Sequence, residues 1–300
     1  MHSRVGHVDL PRLREGGVTG QVFAIWINPE KYAEGERAPF VDRALDSLDA
    51  LCRDHPGQLA RTLTPVEVTT ANAAGLIAGI PAIEGGHALE GDLDRLAAFH
   101  ERGVRMLTLV WNNTNELAES WLEDTGAGLS ALGREAVRMM TGLGIAVDLS
   151  HASTRTFWDV IEASPAPVVA SHSGARGRCD HPRNLDDEQL HAIGESGGVV
   201  GVVFVPAFLK PEPEPTALSD IIDHVEYIAD KAGIDSVALG ADFDGFGGPG
   251  PEGMEDVTRM PDLVSGLATR GFTGQDTGKI LGGNFLRAWS EILGHAGGAR

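Results

Sequence analysis

Apolar, largely β-branched runs alternate with amphipathic stretches along the whole chain. The runs predict strands near Gln21–Ile27, Leu76–Ile83, Val104–Val110, Ile145–Leu149, Val168–Ser171, Gly198–Val205 and Val237–Ala241. Between the first two, Val41, Ala44, Leu45, Leu48 and Leu51 recur at three- and four-residue intervals, the period of a helix with one buried face. Ser130 stands as a cap before a second helix opening at Ala131. Helices are also expected over Thr154–Ala163, Asp187–Gly194, Ala217–Ala232, Met260–Thr269 and Thr273–Leu293. Alternation of this kind implies βαβ units and a parallel sheet, an α/β fold with residues 1–300 as one domain. Seven strands are one short of a closed (β/α)8 TIM-type barrel. Two good helices follow the last strand, so the strand lacking is expected to be the first one. An open doubly wound sheet also accommodates seven strands; what stands at the strand ends favours the ring.

Four metal-type side chains close four of these runs. His151 follows Ile145–Ser150 and His172 follows Pro167–Ser171, twenty-one residues apart, the length of one strand, one helix and the next strand. Parallel strands would bring both imidazoles to one rim. Glu84 ends Leu76–Ile83, and Asp242 ends Val237–Ala241. A barrel enzyme assembles its metal site from such tips, and imidazole with carboxylate suits Zn²⁺. Singly, each is more often an ordinary polar residue; jointly, Glu84, His151 and His172 point to a metal site. Gly85 and Gly86 after Glu84 allow close approach of backbone or substrate. Asp242 is placed to take a proton from a metal-activated water and pass it to a leaving amine, whereas Asp244, before Gly245, suits a turn. Asp148 and Asp180 are candidate partners orienting the imidazoles. His87 and His181 end no strand run and are set aside as ligands. Among Arg176, Arg178 and Arg183, any could pair with a substrate carboxylate.

The bulk numbers narrow the partners. The net charge of −19 argues against nucleic acid and anionic membranes, which require clustered Lys and Arg. Cys52 and Cys179 are too few for a disulfide framework and fit a reducing compartment. Met1–Leu10 has no long apolar core, no run reaches the length of a membrane span, and the tail Gly294–Arg300 carries no lipid-anchor signal. A cytoplasmic protein is expected. The Gly/Pro-rich Gly245–Gly253 is the expected mobile loop.

At these residues the chain resembles the membrane dipeptidase (renal dipeptidase) family of zinc peptidases, within the amidohydrolase-like barrels. The matching stretches are His7–Val18, Ile83–His87, Val147–His151, Ser171–Ser173, Arg183-Asn184, Gly240–Gly245 and Pro251–Val257, in the family's order over nearly the whole chain. The resemblance implies two zinc ions at a barrel mouth cleaving dipeptides, including those with a C-terminal D-residue. It implies that Glu84 bridges both metals and that His151 and His172 hold the second. It further implies that Arg183 binds the dipeptide carboxylate, that Asp242 handles protons, and that two copies of the chain can pair.

There are two departures. The family's His-x-Asp pair on the first strand, which ligates the first zinc, is not found; His7-Val8-Asp9 aligns with a later segment and is not its substitute. The expectation is at most one well-held zinc and weak or absent activity. Where mammalian relatives carry a His after the Val104–Val110 strand, this chain has Trp111-Asn112. Alternative readings are an N-acyl amino acid deacylase of the same barrel type and a non-catalytic barrel with a degenerate metal site.

Overall fold

The computed structural model describes residues 5–211 and 213–297. Met1–Arg4 and Gly298–Arg300, the ends of the segments expected to lack a leader or anchor, lie outside the described residues. Eight strands occur among them: β1 (Gly20–Trp26), β2 (Leu59–Arg61), β3 (Ile77–Glu84), β4 (Met106–Thr108), β5 (Ala146–Asp148), β6 (Val169–Ser173), β7 (Val199–Val202) and β8 (Val237–Leu239). The helices in chain order are α1 (Leu10–Glu15), α2 (Arg37–Asp54), α3 (Pro65–Ala73), α4 (Asp94–Glu101), α5 (Ala131–Leu143) and α6 (Thr154–Ala163), then α7 (Asp187–Glu195), α8 (Pro206–Leu209), α9 (Leu218–Ala232), α10 (Met260–Thr269), α11 (Gly274–Gly278) and α12 (Asn284–Gly294). No described helix is long and apolar enough to cross a membrane.

The chain divides into two compact units, one of residues 20–169 and 287–300, the other of residues 1–19 and 170–286. In the first, β1 runs parallel to β3 from Gly20↔Ala78 to Trp26↔Glu84. The other edge of β3 is shared: β2 pairs with Ile77–Gly79 and β4 with Ala82–Glu84. β4 then pairs with β5, and Asp148 of β5 pairs with Val169, where β6 begins. In the second unit β7 follows β6 in ladder order, and β8 pairs with β7 from Val200↔Val237 to Val202↔Leu239. Every ladder named here with its register is parallel.

The burial of the strands follows from helices covering a parallel sheet. β3 is buried from Ile77 through Ile83 without alternation, so polarity is tolerated first at Glu84, where the strand ends. α5 and α6 start where Ser130 and Ser153 side chains accept the amide hydrogens of Gly133 (2.9 Å) and Thr156 (3.1 Å), a stop-and-start signal local to the sequence. Gly144, at φ 72°, ends α5 in the left-handed conformation that glycine adopts without strain. On the buried side of α5, Ala136, Val137 and Met140 are fully covered; burying a side chain of the Val or Met type stabilises the fold by about 1.5–3 kcal/mol.

One expectation is extended and one corrected. β2, at Leu59–Arg61, is a strand the periodicity does not predict, but it pairs with β3 off the path of the other seven and is not the strand expected before Gln21. The helix expected over Thr273–Leu293 is interrupted: α11 gives way at Lys279–Gly283 to a wider turn with non-helical Gly282 before α12 resumes. Gly282 and Gly283 in succession lower helix stability at that point. The Gly/Pro-rich Gly245–Gly253 is held at several points: Gly248 O meets His7 Nε2 (2.8 Å), while Glu252 O accepts from Leu218 N (2.8 Å) and Glu252 N donates to Thr216 O (2.9 Å).

Candidate active site

Glu84 and His151 come together in the unit formed by residues 20–169 and 287–300. Glu84 is the last residue of β3, with its side chain 13% exposed. His151 lies three residues beyond β5, at φ 67°, a left-handed conformation that costs a residue with a Cβ about 1–3 kcal/mol and recurs at functional sites. That turn aims His151 Nε2 at Glu84 Oε1, 3.0 Å away. Its Nδ1 faces Asn112 Oδ1 at 2.9 Å, and the same oxygen accepts the indole hydrogen of Trp121 at 2.8 Å. Trp111 packs beside this group, its ring centroid 6.3 Å from His151 and 4.9 Å from Trp26 at the end of β1. Asp148 is fully buried; its Oδ2 accepts from Thr108 Oγ1 (2.5 Å) and its Oδ1 from Ser150 N (3.1 Å), which anchors the turn leading to His151.

The donor set fits a divalent metal. Two ligands bound at about 2.0–2.1 Å from a zinc ion lie roughly 3 Å apart, which is the separation of Nε2 and Oε1. A lone pair and a carboxylate oxygen this close require a cation against them, whether a proton or a metal ion.

In the other unit, His172 sits within β6, one residue before its end, with Nδ1 2.8 Å from Ser171 Oγ. Arg183 is buried; its guanidinium lies 5.4 Å from the Phe208 ring centroid and donates to His172 O at 3.4 Å. The loop carrying it is pinned by Asn184, which accepts from Gly174 N and donates to Cys179 O and Phe208 O. Arg178 instead pairs with Asp223 (2.6 Å) and Arg176 lies 3.9 Å from Asp186, both at the surface side of the loop. His181 Nδ1 accepts from Arg183 N (3.1 Å); burial first, then Arg183 and Arg176, hold its pKa below the usual histidine value.

Asp242 lies three residues beyond β8 at φ 58°, and Asp244 at φ 66°. His7 clamps this loop. Its backbone N–H donates to Asp244 Oδ1, Asp244 N donates to its Nδ1 (3.0 Å), and its ring stacks on Phe243 with centroids 5.3 Å apart. Asp9 caps α1 by accepting from Arg12 N (2.8 Å). His7 and Asp9 therefore both have structural partners. A cavity of about 690 Å³ adjoins Asp244, lined by His7, Arg12, Glu15, Glu255 and Asp256 among others. Its one guanidinium is already met by Asp9 and Asp256, so it does not suit a substrate carboxylate.

The sequence reading missed Asn112 and Trp121 as partners of His151. Asn112 stood out only as a departure, and nothing local to Trp121 signals its role.

An α/β fold of parallel strands with metal-type side chains at strand ends defines a metal-dependent hydrolase of the TIM-type class. The chain matches the membrane dipeptidase family, peptidase family M19, over residues 1–297, and it belongs to that family. It is a peptide-bond hydrolase of the metallo-dipeptidase kind. It is 35% identical over 307 residues to an uncharacterized dipeptidase of Schizosaccharomyces pombe, covering 97% of this chain and 75% of that protein. It is 34% identical to dipeptidase aclJ of Aspergillus oryzae, covering 96% of this chain and 70% of that one. Among solved structures, a metallo peptidase from Rhodobacter sphaeroides, liganded with a phosphinate mimic of the dipeptide L-Ala-D-Ala, superposes with a TM-score of 0.89 at 31% identity, covering 97% of this chain and 91% of that chain.

Proposed function

We propose that the protein is a zinc-dependent dipeptidase that accepts dipeptides with a C-terminal D-residue. The observation that carries this reading is the Glu84–His151 pair, two metal-type ligand atoms 3.0 Å apart, at the end of β3 and past the end of β5, the strands on either side of β4. Glu84, His151 and His172 each offer one ligand atom, and the reading assigns all three to one divalent ion. The bound metal supplies activation of a water and polarisation of the scissile carbonyl.

Asp242 takes the proton released by the attacking water and delivers it to the leaving amine. Arg183, buried over Phe208, pairs bidentately with the C-terminal carboxylate of the dipeptide. Tolerance of a D-residue is supported by the dipeptide mimic bound to the Rhodobacter relative. Both cysteines are free thiols, which supports cytoplasmic residence.

The test is hydrolysis of Gly-D-Ala beside an N-acetyl amino acid, with zinc content measured on the same preparations. Expected is cleavage of the dipeptide, with zinc and activity lost together in Glu84→Ala and His172→Ala. Preference for the N-acetyl amino acid would replace this reading with a deacylase. Zinc content unaltered by both substitutions would end the ligand assignment.

A further inference from the structure

We propose that Asn112, itself oriented by Trp121, is a positioning residue that fixes the tautomer of His151 so that Nε2 presents its lone pair toward Glu84. The inference rests on the reading of Glu84 and His151 as metal ligands, and it goes on to say what makes His151 able to act as one.

Every arrangement of hydrogens that fits these contacts places one on Nδ1: a neutral imidazole with Nε2 open to a metal, or, with no metal bound, an imidazolium whose Nε2–H meets Glu84. An indole nitrogen can donate a hydrogen bond and cannot accept one. Trp121 Nε1 lies 2.8 Å from the side-chain amide of Asn112, so the amide atom facing it must be the oxygen. Reversing the amide would set N–H against N–H. That oxygen has two lone pairs, and the second is 2.9 Å from His151 Nδ1. An acceptor there requires Nδ1 to carry the hydrogen. A neutral imidazole protonated at Nδ1 leaves Nε2 bare, and Nε2 is the atom 3.0 Å from Glu84 Oε1.

The arrangement closes on itself. Trp121 N donates to His151 O at 2.9 Å, so the residue that orients the amide is tied to the backbone of the histidine that the amide orients. Ser120, immediately before Trp121, bridges Ala152, and its Oγ donates to Asn112 O at 2.9 Å. Thr114 N donates to Glu123 Oε2 at 2.7 Å and Ser120 N to Thr114 Oγ1 at 3.1 Å, which hold the two loops in register. A carboxylate in the place of Asn112 would also accept from both donors. The amide does so without adding a third negative charge beside Glu84 and the fully buried Asp148. Partners of this kind tune ligand affinity by about 10- to 100-fold.

Two measurements test the proposal. The first is ¹⁵N NMR of histidine-labelled, metal-free protein, which distinguishes a protonated Nδ1 from a protonated Nε2. The parent is expected to show His151 protonated at Nδ1. Asn112→Leu and Trp121→Phe, the latter keeping the ring and removing only its donor, should shift it toward the other tautomer. The second is zinc affinity by chelator competition. Asn112→Leu is expected to weaken binding by about 10- to 100-fold and Trp121→Phe by roughly 10-fold, while Asn112→Asp stays within about threefold of the parent or binds tighter. A parent His151 protonated at Nε2 with Nδ1 bare, or Nδ1 protonation and parental affinity retained in both Asn112→Leu and Trp121→Phe, would overturn the proposal. Failure of the underlying metal reading has a different signature: Glu84→Ala and His151→Ala would then bind zinc like the parent, while the tautomer measurement still decides the role of Asn112.

Discussion

Arg183 is one of three arginines in the loop after His172, and spacing gave no ground to choose among them. Burial does. Arg178 spends its charge on Asp223 at the surface, whereas Arg183 is covered and laid against Phe208. A rigid, desolvated guanidinium loses little freedom when a carboxylate docks on it. Arg183→Ala should therefore lower kcat/KM for a free dipeptide by about 100-fold, roughly 2.7 kcal/mol, mostly through KM. The same substitution should barely alter hydrolysis of a dipeptide amidated at its C-terminus. An equal loss on both substrates, measured by steady-state kinetics, would remove Arg183 from carboxylate recognition. At this scale the sequence named the candidate ligand residues and left their partners hidden. Asn112 and His151 are 39 positions apart and meet only because two loops fold over one another.

At the scale of elements, each of the seven expected strands is present within a few residues of its expected place, because strands buried on both faces need continuous apolar runs. β2 escaped notice because three residues, Leu59-Ala60-Arg61, carry no periodicity to read. Its pairing with β3, and not its own sequence, makes it a strand. Gly201 within β7 and Gly240 just past β8 show the reverse relation, in which an element depends on the absence of a side chain. A Cβ on Gly240 would stand 1.8 Å from Ser171 O and 3.0 Å from His172 Cα, and one on Gly201 would stand 2.0 Å from the same carbonyl. The obstruction is backbone on all sides, so it cannot be relieved by a rotamer change. Gly240→Ala is expected to destabilise the protein by about 1–3 kcal/mol and to displace His172. Zinc affinity should fall with it, even in the fraction that remains folded. Parental zinc affinity in folded Gly240→Ala, by chelator competition and circular dichroism, would show that β6 tolerates the shift.

Over the whole molecule, the buried histidines are expected to contribute to the response to acid. His224 is fully buried, its Nδ1 accepting from Ala175 N (2.9 Å) and its Nε2 facing Leu209 O (3.2 Å). Burial above all holds its pKa below the ordinary 6.5, and burial followed by Arg37 does the same for His87. A group with a lowered folded pKa binds protons more readily when unfolded. Its stabilising contribution is complete above about pH 6.5 and is lost as pH falls below that value toward the folded pKa. Urea unfolding between pH 7.5 and 5.5 should show stability declining by up to about 1.4 kcal/mol per pH unit for each such histidine. His224→Gln should flatten the slope; an unchanged slope would assign the acid response to other groups. The sequence by itself determined the order of strands and helices, the acidic balance and the strand-end Glu84, His151 and His172, because hydrophobic period and residue chemistry are local properties. The tertiary structure alone decided the Asn112–Trp121 hold on His151, the burial of Arg183, and the clamp of His7 on Asp244 across 237 positions. Those depend on hydrogen-bond distances between segments that no local pattern encodes.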